Sequence, residues 1–145
     1  MAPLQKRALI SFLIGITFTI ALVVVFILEG DITAFNSDET LRWITYAALI
    51  GVPLTYLILI DLTLRKPTQL DERDRLIMLR SGRVQWLAVI FSLAAWMITL
   101  TEIYREPRQV PVVFLTLIFM SILIISILAQ SLGILLGYWR MNRNG

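Results

Sequence analysis

The chain has no cysteine and no histidine among its 145 residues. Without cysteine there is neither a disulfide framework nor thiol chemistry, and the redox compartment leaves no mark on the sequence. Without histidine the commonest metal ligand and the commonest general base are both missing. The sequence also contains no Gly-rich phosphate loop, no serine nucleophile elbow and no carboxylates at metal spacing. Convergent groups for catalysis are therefore lacking, and a non-enzymatic protein with no cofactor and no metal is expected. Charge is scarce as well: 16% of residues are charged, 58% are hydrophobic, and the mean hydropathy is +0.80. A soluble domain ordinarily carries about 25% charged residues. The shortfall points to a single integral membrane domain over residues 1–145. The net charge of +3 and pI of 9.7 would suit nucleic acid, but the positive side chains flank apolar runs instead of forming a soluble patch. Membrane lipid is thus the expected surrounding, and nucleic acid is not an expected partner.

What is there is four apolar runs, at about 8–28, 41–64, 84–104 and 110–139. The first, Ala8 to Leu28, has 21 residues without a charge. That suffices for a hydrocarbon core of about 30 Å at about 1.5 Å per residue. It is too long for the apolar region of a signal peptide and ends in Phe26-Ile27-Leu28-Glu29-Gly30 instead of small residues, so an uncleaved first helix is expected. An acidic loop follows, with Glu29, Asp31, Asp38 and Glu39 against Arg42, and Asn36 or Ser37 could cap the next helix. The second run places Trp43 and Tyr46 where an interfacial aromatic belt belongs. At its middle, Pro53 cannot donate to the carbonyl of Leu49, which predicts a kink and, with Tyr56 one turn on, a possible intramembrane polar site. Asp61 is an acid inside the same run. It is read either as a functional intramembrane carboxylate or as a snorkelling acid paired with Arg65 at i+4.

Between the second and third runs lies the long charged stretch Thr68 to Arg83, TQLDERDRLIMLRSGR. Asp71, Glu72 and Asp74 precede Arg75, Arg80 and Arg83, an order that complements a helix dipole and predicts a helix capped by Thr68, with Arg75 in reach of Asp71 and Glu72. One of its turns is wholly charged and the next, Leu76-Ile77-Met78-Leu79, wholly apolar. Such a helix has no continuous apolar face to lay on a bilayer, so the apolar turn is expected to pack on protein, in this chain or a partner. The partner-binding candidates are Asp71, Glu72, Arg73, Arg75, Leu76 and Leu79. The expected connector covers residues 65–83; no proline interrupts Thr68 to Pro107, so it can run on into the third span, with Gly82 the weak joint.

The fourth run, Val110 to Trp139, has 30 residues without a charge, about 45 Å if wholly helical, and must tilt or protrude. Pro111 suits a helix start. Ala129, Gly133 and Gly137 recur every fourth residue with Gln130 beside them, a groove for close helix packing inside the protomer or across a homodimer.

Orientation follows from the basic residues. With the N-terminus inside, Lys6, Arg7, Arg65, Lys66, Arg73, Arg75, Arg80, Arg83, Arg140 and Arg143 lie on the cytoplasmic side, ten of the 13 Lys and Arg, against Arg42, Arg105 and Arg108 outside. The expected fold is all-α: a four-transmembrane-helix bundle with both termini and a helical connector between helices two and three in the cytoplasm. Asp71-Glu72-Arg73 with Ile77 beyond, then Arg80-Ser81-Gly82 leading directly into a span, resembles the motif of an uncharacterised family of small prokaryotic four-helix membrane proteins. The resemblance covers about Asp71 to Phe91 and the general layout; it implies a prokaryotic cytoplasmic membrane and brings no catalytic residues. The function expected is that of a membrane accessory, regulatory or scaffold protein, a homo-oligomer or a subunit of a larger membrane complex. The alternatives are a small oligomeric channel or transporter, and a subunit binding quinone, lipid or pigment near Pro53 or Trp96.

Overall fold

The computed structural model of the chain describes residues 2–29, 39–63, 71–106 and 109–143. All regular structure among them is helical: α1 (Pro3–Glu29), α2 (Glu39–Thr63), α3 (Glu72–Ile103) and α4 (Val113–Arg143). Three of these helices, α1, α3 and α4, are long and apolar enough to cross a membrane.

Each helix end has a local cause. Pro3 opens α1, where its missing N–H costs nothing, and the Lys6 N–H reaches back to the Ala2 carbonyl at 3.0 Å. At α3 the cap is Asp71, in extended backbone with its carboxylate accepting from the Glu72 N–H at 2.8 Å. This corrects the expectation of Thr68 as cap. Thr68 itself lies outside the described residues, as do Arg65, Lys66 and the acidic loop from Asp31 to Asp38. The far end of α3 closes at Tyr104, whose N–H returns to the Leu100 carbonyl at 3.0 Å. Two tight turns, Phe114 N–H to Pro111 and Leu115 N–H to Val112, lead into α4.

One further expectation resolves. The connector helix and the third span are one element: α3 is unbroken from Glu72 through Gly82 to Ile103. A glycine costs a helix interior only about 1 kcal/mol, and Ser81 and Gln85 on either side of Gly82 are both engaged with α4. In α2 the helix continues through Pro53.

The bundle is built around α4. It runs antiparallel to α3, because Ile77 meets Gly137, Ser81 meets Gly133, Gln85 meets Ser126 and Trp96 meets Ser121. It also runs antiparallel to α1, because Gly15 meets Ile127 and Leu128 while Leu4 and Ala8 pack with Ile134. The α2 helix is held more lightly, chiefly against α1. Two apolar clusters mark the ends. One joins Leu4, Ala8, Ile77 and Ile134; the other joins Leu100, Val113 and Phe114, with Trp96 and Tyr104 edge-on to Phe114 at 6.3 and 5.5 Å. From Ile77 to Leu100 the helix rises about 35 Å, close to the thickness of a hydrocarbon core.

Hydroxyls within the helices bond to their own backbone. Thr17, Thr19, Thr101 and Ser131 each donate to the carbonyl four residues back, at 2.7–2.9 Å. In lipid this is the arrangement that leaves no polar group bare. Among the described residues, no buried side-chain nitrogen or oxygen lacks a partner.

Candidate functional site

The two antiparallel pairings bring the start of α1, the start of α3 and the end of α4 to one end of the bundle. Lys6, Arg7, Arg73, Arg75, Arg80, Arg83, Arg140 and Arg143 gather there from segments far apart in sequence. Ile77 is the pivot. It is 2% exposed, in a cluster with Leu4, Ala8 and Ile134, with Leu135, Tyr138 and Met141 around it. A Cβ built on Gly137 would stand 2.9 Å from Ile77 Cγ2, and one on Gly133 would stand 2.9 Å from Ser81 Cβ and 3.0 Å from its Cα. Both glycines therefore serve the α3–α4 contact within the protomer, and the Tyr138 hydroxyl donates to the Asp74 carboxylate to fasten the same pair of helices.

Of the partner-binding candidates, the structure assigns different work to different members. Asp71 is the cap, and the ion pairs expected from Asp71 and Glu72 to Arg75 do not form among the described residues, where the ion pair is Glu39 with Arg42 at 3.8 Å. Asp74, the third acid, is bonded by Tyr138. Leu76 and Leu79 are 50% and 69% exposed, and by helical spacing they share an outward stripe with Glu72, Arg83 and Trp86. Arg73 faces elsewhere. With Arg80 and Arg140 it lines a groove of about 350 Å³ whose remaining walls are Ile77, Gly133, Gly137 and Met141. The convergence of Arg140 with two arginines of α3 was beyond sequence reasoning, because it depends on the register between α3 and α4; the four-residue spacing of Gly133 and Gly137 was the available signal.

A second hollow, of about 240 Å³ and partly open, lies between α2, α3 and α4. Pro53 and Tyr56 of α2, Gln85 of α3, and Leu123, Ser126, Ile127 and Gln130 of α4 line it. The Gln85 amide donates to Ser126 Oγ at 2.6 Å across the helix contact. Nearer the other end the Trp96 indole N–H donates to Ser121 Oγ at 2.8 Å, and Ser121 in turn donates to the Ile118 carbonyl. Pro53 and Tyr56 are thus brought together with Gln130 of the small-residue stripe, while the side chain of Asp61, the third residue expected at a polar site, lies outside the described residues. Gln85, Leu123, Ser126 and Ile127 are the lining residues that sequence analysis missed, although Gln85 stands alone as an amide at the start of the third apolar run. Ala129 sits half-buried one turn before Gly133.

No family model, no curated protein and no solved structure matches the chain.

Proposed function

We propose that the chain is a four-span protein of a prokaryotic cytoplasmic membrane, with both termini and the start of α3 in the cytoplasm. It has no chemistry of its own and acts as an accessory, regulatory or scaffold subunit, packing with further copies or with larger membrane proteins. The Asp71-Glu72-Arg73 motif sits at the cap and first turn of α3, and we group the chain with the small four-helix proteins it resembles on that basis. The observation that carries the reading is the stripe on α3. Leu76 and Leu79 stand exposed between arginines, at the end of the bundle where the basic residues gather. An apolar centre with a charged rim is the layout of a protein contact.

The test is the double substitution Leu76→Asp with Leu79→Asp, both at exposed positions that the helix itself does not need. In a mild detergent the variant is expected to keep its helicity and to run as a smaller particle than the parent. A variant of unchanged native mass contradicts the reading.

The hollow between α2, α3 and α4 supports a second reading, a subunit that holds a quinone, lipid or pigment. An apolar wall of Leu123 and Ile127 with amides at Gln85 and Gln130 and a phenol at Tyr56 suits a ring or chain bearing a carbonyl or hydroxyl. Mass and absorption spectra of the gently purified protein test it. A small molecule lost on Gln130→Leu supports this reading, and extracts holding only bulk lipid dismiss it.

A further inference from the structure

We infer that the groove between the start of α3 and the end of α4 is a binding site for a phosphate ester, met in the membrane as the headgroup of an anionic phospholipid. Three arginines from two helices, Arg73, Arg80 and Arg140, line one concavity of about 350 Å³. A guanidinium presents its N–H groups as a flat fork that fits phosphate oxygens two at a time, so three arginines around one hollow supply the donors and the positive charge that a phosphate takes. Among the described residues none of the three is held in an ion pair. The nearby acids keep their charge but form no ion pair with the three: Asp71 accepts from the Glu72 N–H, Asp74 accepts from Tyr138, and Glu72 lies on the outward stripe. The first turn of α3 beside Arg73 adds the positive end of its dipole.

The floor explains why the groove exists. Gly133 and Gly137 let α3 and α4 approach until Ser81 and Ile77 crowd the space a Cβ would take, and arginines of both helices line the seam. Met141 and Ile77 give that seam an apolar edge, suited to the glycerol and upper acyl carbons of a lipid. Basic hollows between helices at the cytoplasmic surface are where lipid phosphates are held. The inference rests on the basic end lying at the membrane surface; it does not require a protein partner.

The experiment places the purified full chain in nanodiscs of phosphatidylcholine with a minority of phosphatidylglycerol, releases it gently and counts retained lipids by native mass spectrometry. Three proteins are compared. They are the parent, Arg73→Gln/Arg80→Gln/Arg140→Gln, and a control of equal charge loss at the same end, Lys6→Gln/Arg83→Gln/Arg143→Gln. Retained phosphatidylglycerol is expected to fall by about tenfold or more in the groove variant and to stay near the parent in the control. Equal loss in both variants shows a diffuse field and overturns the site, as does retention unchanged in the groove variant. A second arm titrates inorganic phosphate into the parent in neutral detergent and follows its thermal transition. Stabilisation by phosphate that the groove variant lacks, without lipid retention, identifies a free phosphate ester as the source; no response in either arm overturns the proposal. Should the triple variant fail to fold, Arg73→Lys and Arg80→Lys keep the charge and lose the fork, and each is expected to weaken retention severalfold. A protein of unchanged retention in both lysine variants also overturns it. A topology with the basic end outside would refute the reading of Proposed function while leaving the groove's retention of phosphate measurable.

Discussion

The three glycines of the helix contacts are not equivalent, and the difference can be read atom by atom. An added Cβ at Gly15 meets the far end of the Leu128 side chain at 2.7 Å, which can swing aside. At Gly137 it meets Ile77, a β-branched residue that is fully enclosed and has little freedom to turn. At Gly133 it meets Ser81 at Cβ and at the backbone itself, so the helices must separate. Substitution by alanine is therefore expected to destabilise in the order Gly133, Gly137, Gly15, with the first costing about 1–3 kcal/mol. Unfolding in mixed micelles measures the order, and a Gly15→Ala variant less stable than Gly133→Ala would contradict it. The polar bridges are worth less. Gln85→Ala and Trp96→Phe each remove one interhelical hydrogen bond, and a loss of about 0.6 kcal/mol is typical of such bonds in a membrane bundle. A destabilisation of several kcal/mol by either would mean that the amide or indole does more than join α3 to α4.

At the scale of the element, α3 is the helix whose boundary matters. Its charge order and its lack of proline were plain in the sequence, and they led to a helix over this stretch. Its start at Asp71 was not. A threonine and an aspartate three residues apart are both good caps, and only the arrangement of the chain decides which one bends out of the helix. Asp71→Ala is expected to fray the first turn and to cost about 1 kcal/mol. Exchange of the amide hydrogens of Glu72, Arg73 and Asp74 would report it, and protection equal to the parent's would argue against the cap. The continuity of α3 had the same kind of origin. Gly82 looked like a joint on propensity, yet the seam with α4 that includes Ser81 and Gln85 spans it, and packing outweighs so small a preference. That the apolar runs are helical was legible because hydrophobic length is a local rule. Pro111, expected as a helix start, instead lies in the turn that precedes α4 at Val113. Which faces meet is a matter of register, and this is why the company of Arg140 with Arg73, and of Gln85 with Tyr56, stayed hidden.

The whole molecule divides its charges by end. The antiparallel course of α1, α3 and α4 carries Lys6 and Arg7, the α3 arginines, and Arg140 and Arg143 to one end, while Glu102, Arg105 and Glu106 lie at the other. Stretches separated by most of the chain thus share an environment, and both the exposed leucines and the arginine groove belong to that end. The leading reading of the function depends on this end facing the cytoplasm. Since the chain has no cysteine, single cysteines report position without background. The measurement is labelling of Asn142→Cys, Glu102→Cys and Glu39→Cys in intact cells by a maleimide that cannot cross the membrane. Labelling of the variants at 102 and 39, with the one at 142 reacting only after the membrane is opened, is the expected result. Equal reactivity of the cysteines at 102 and 142 in intact cells, or reaction at 142 alone, would contradict it.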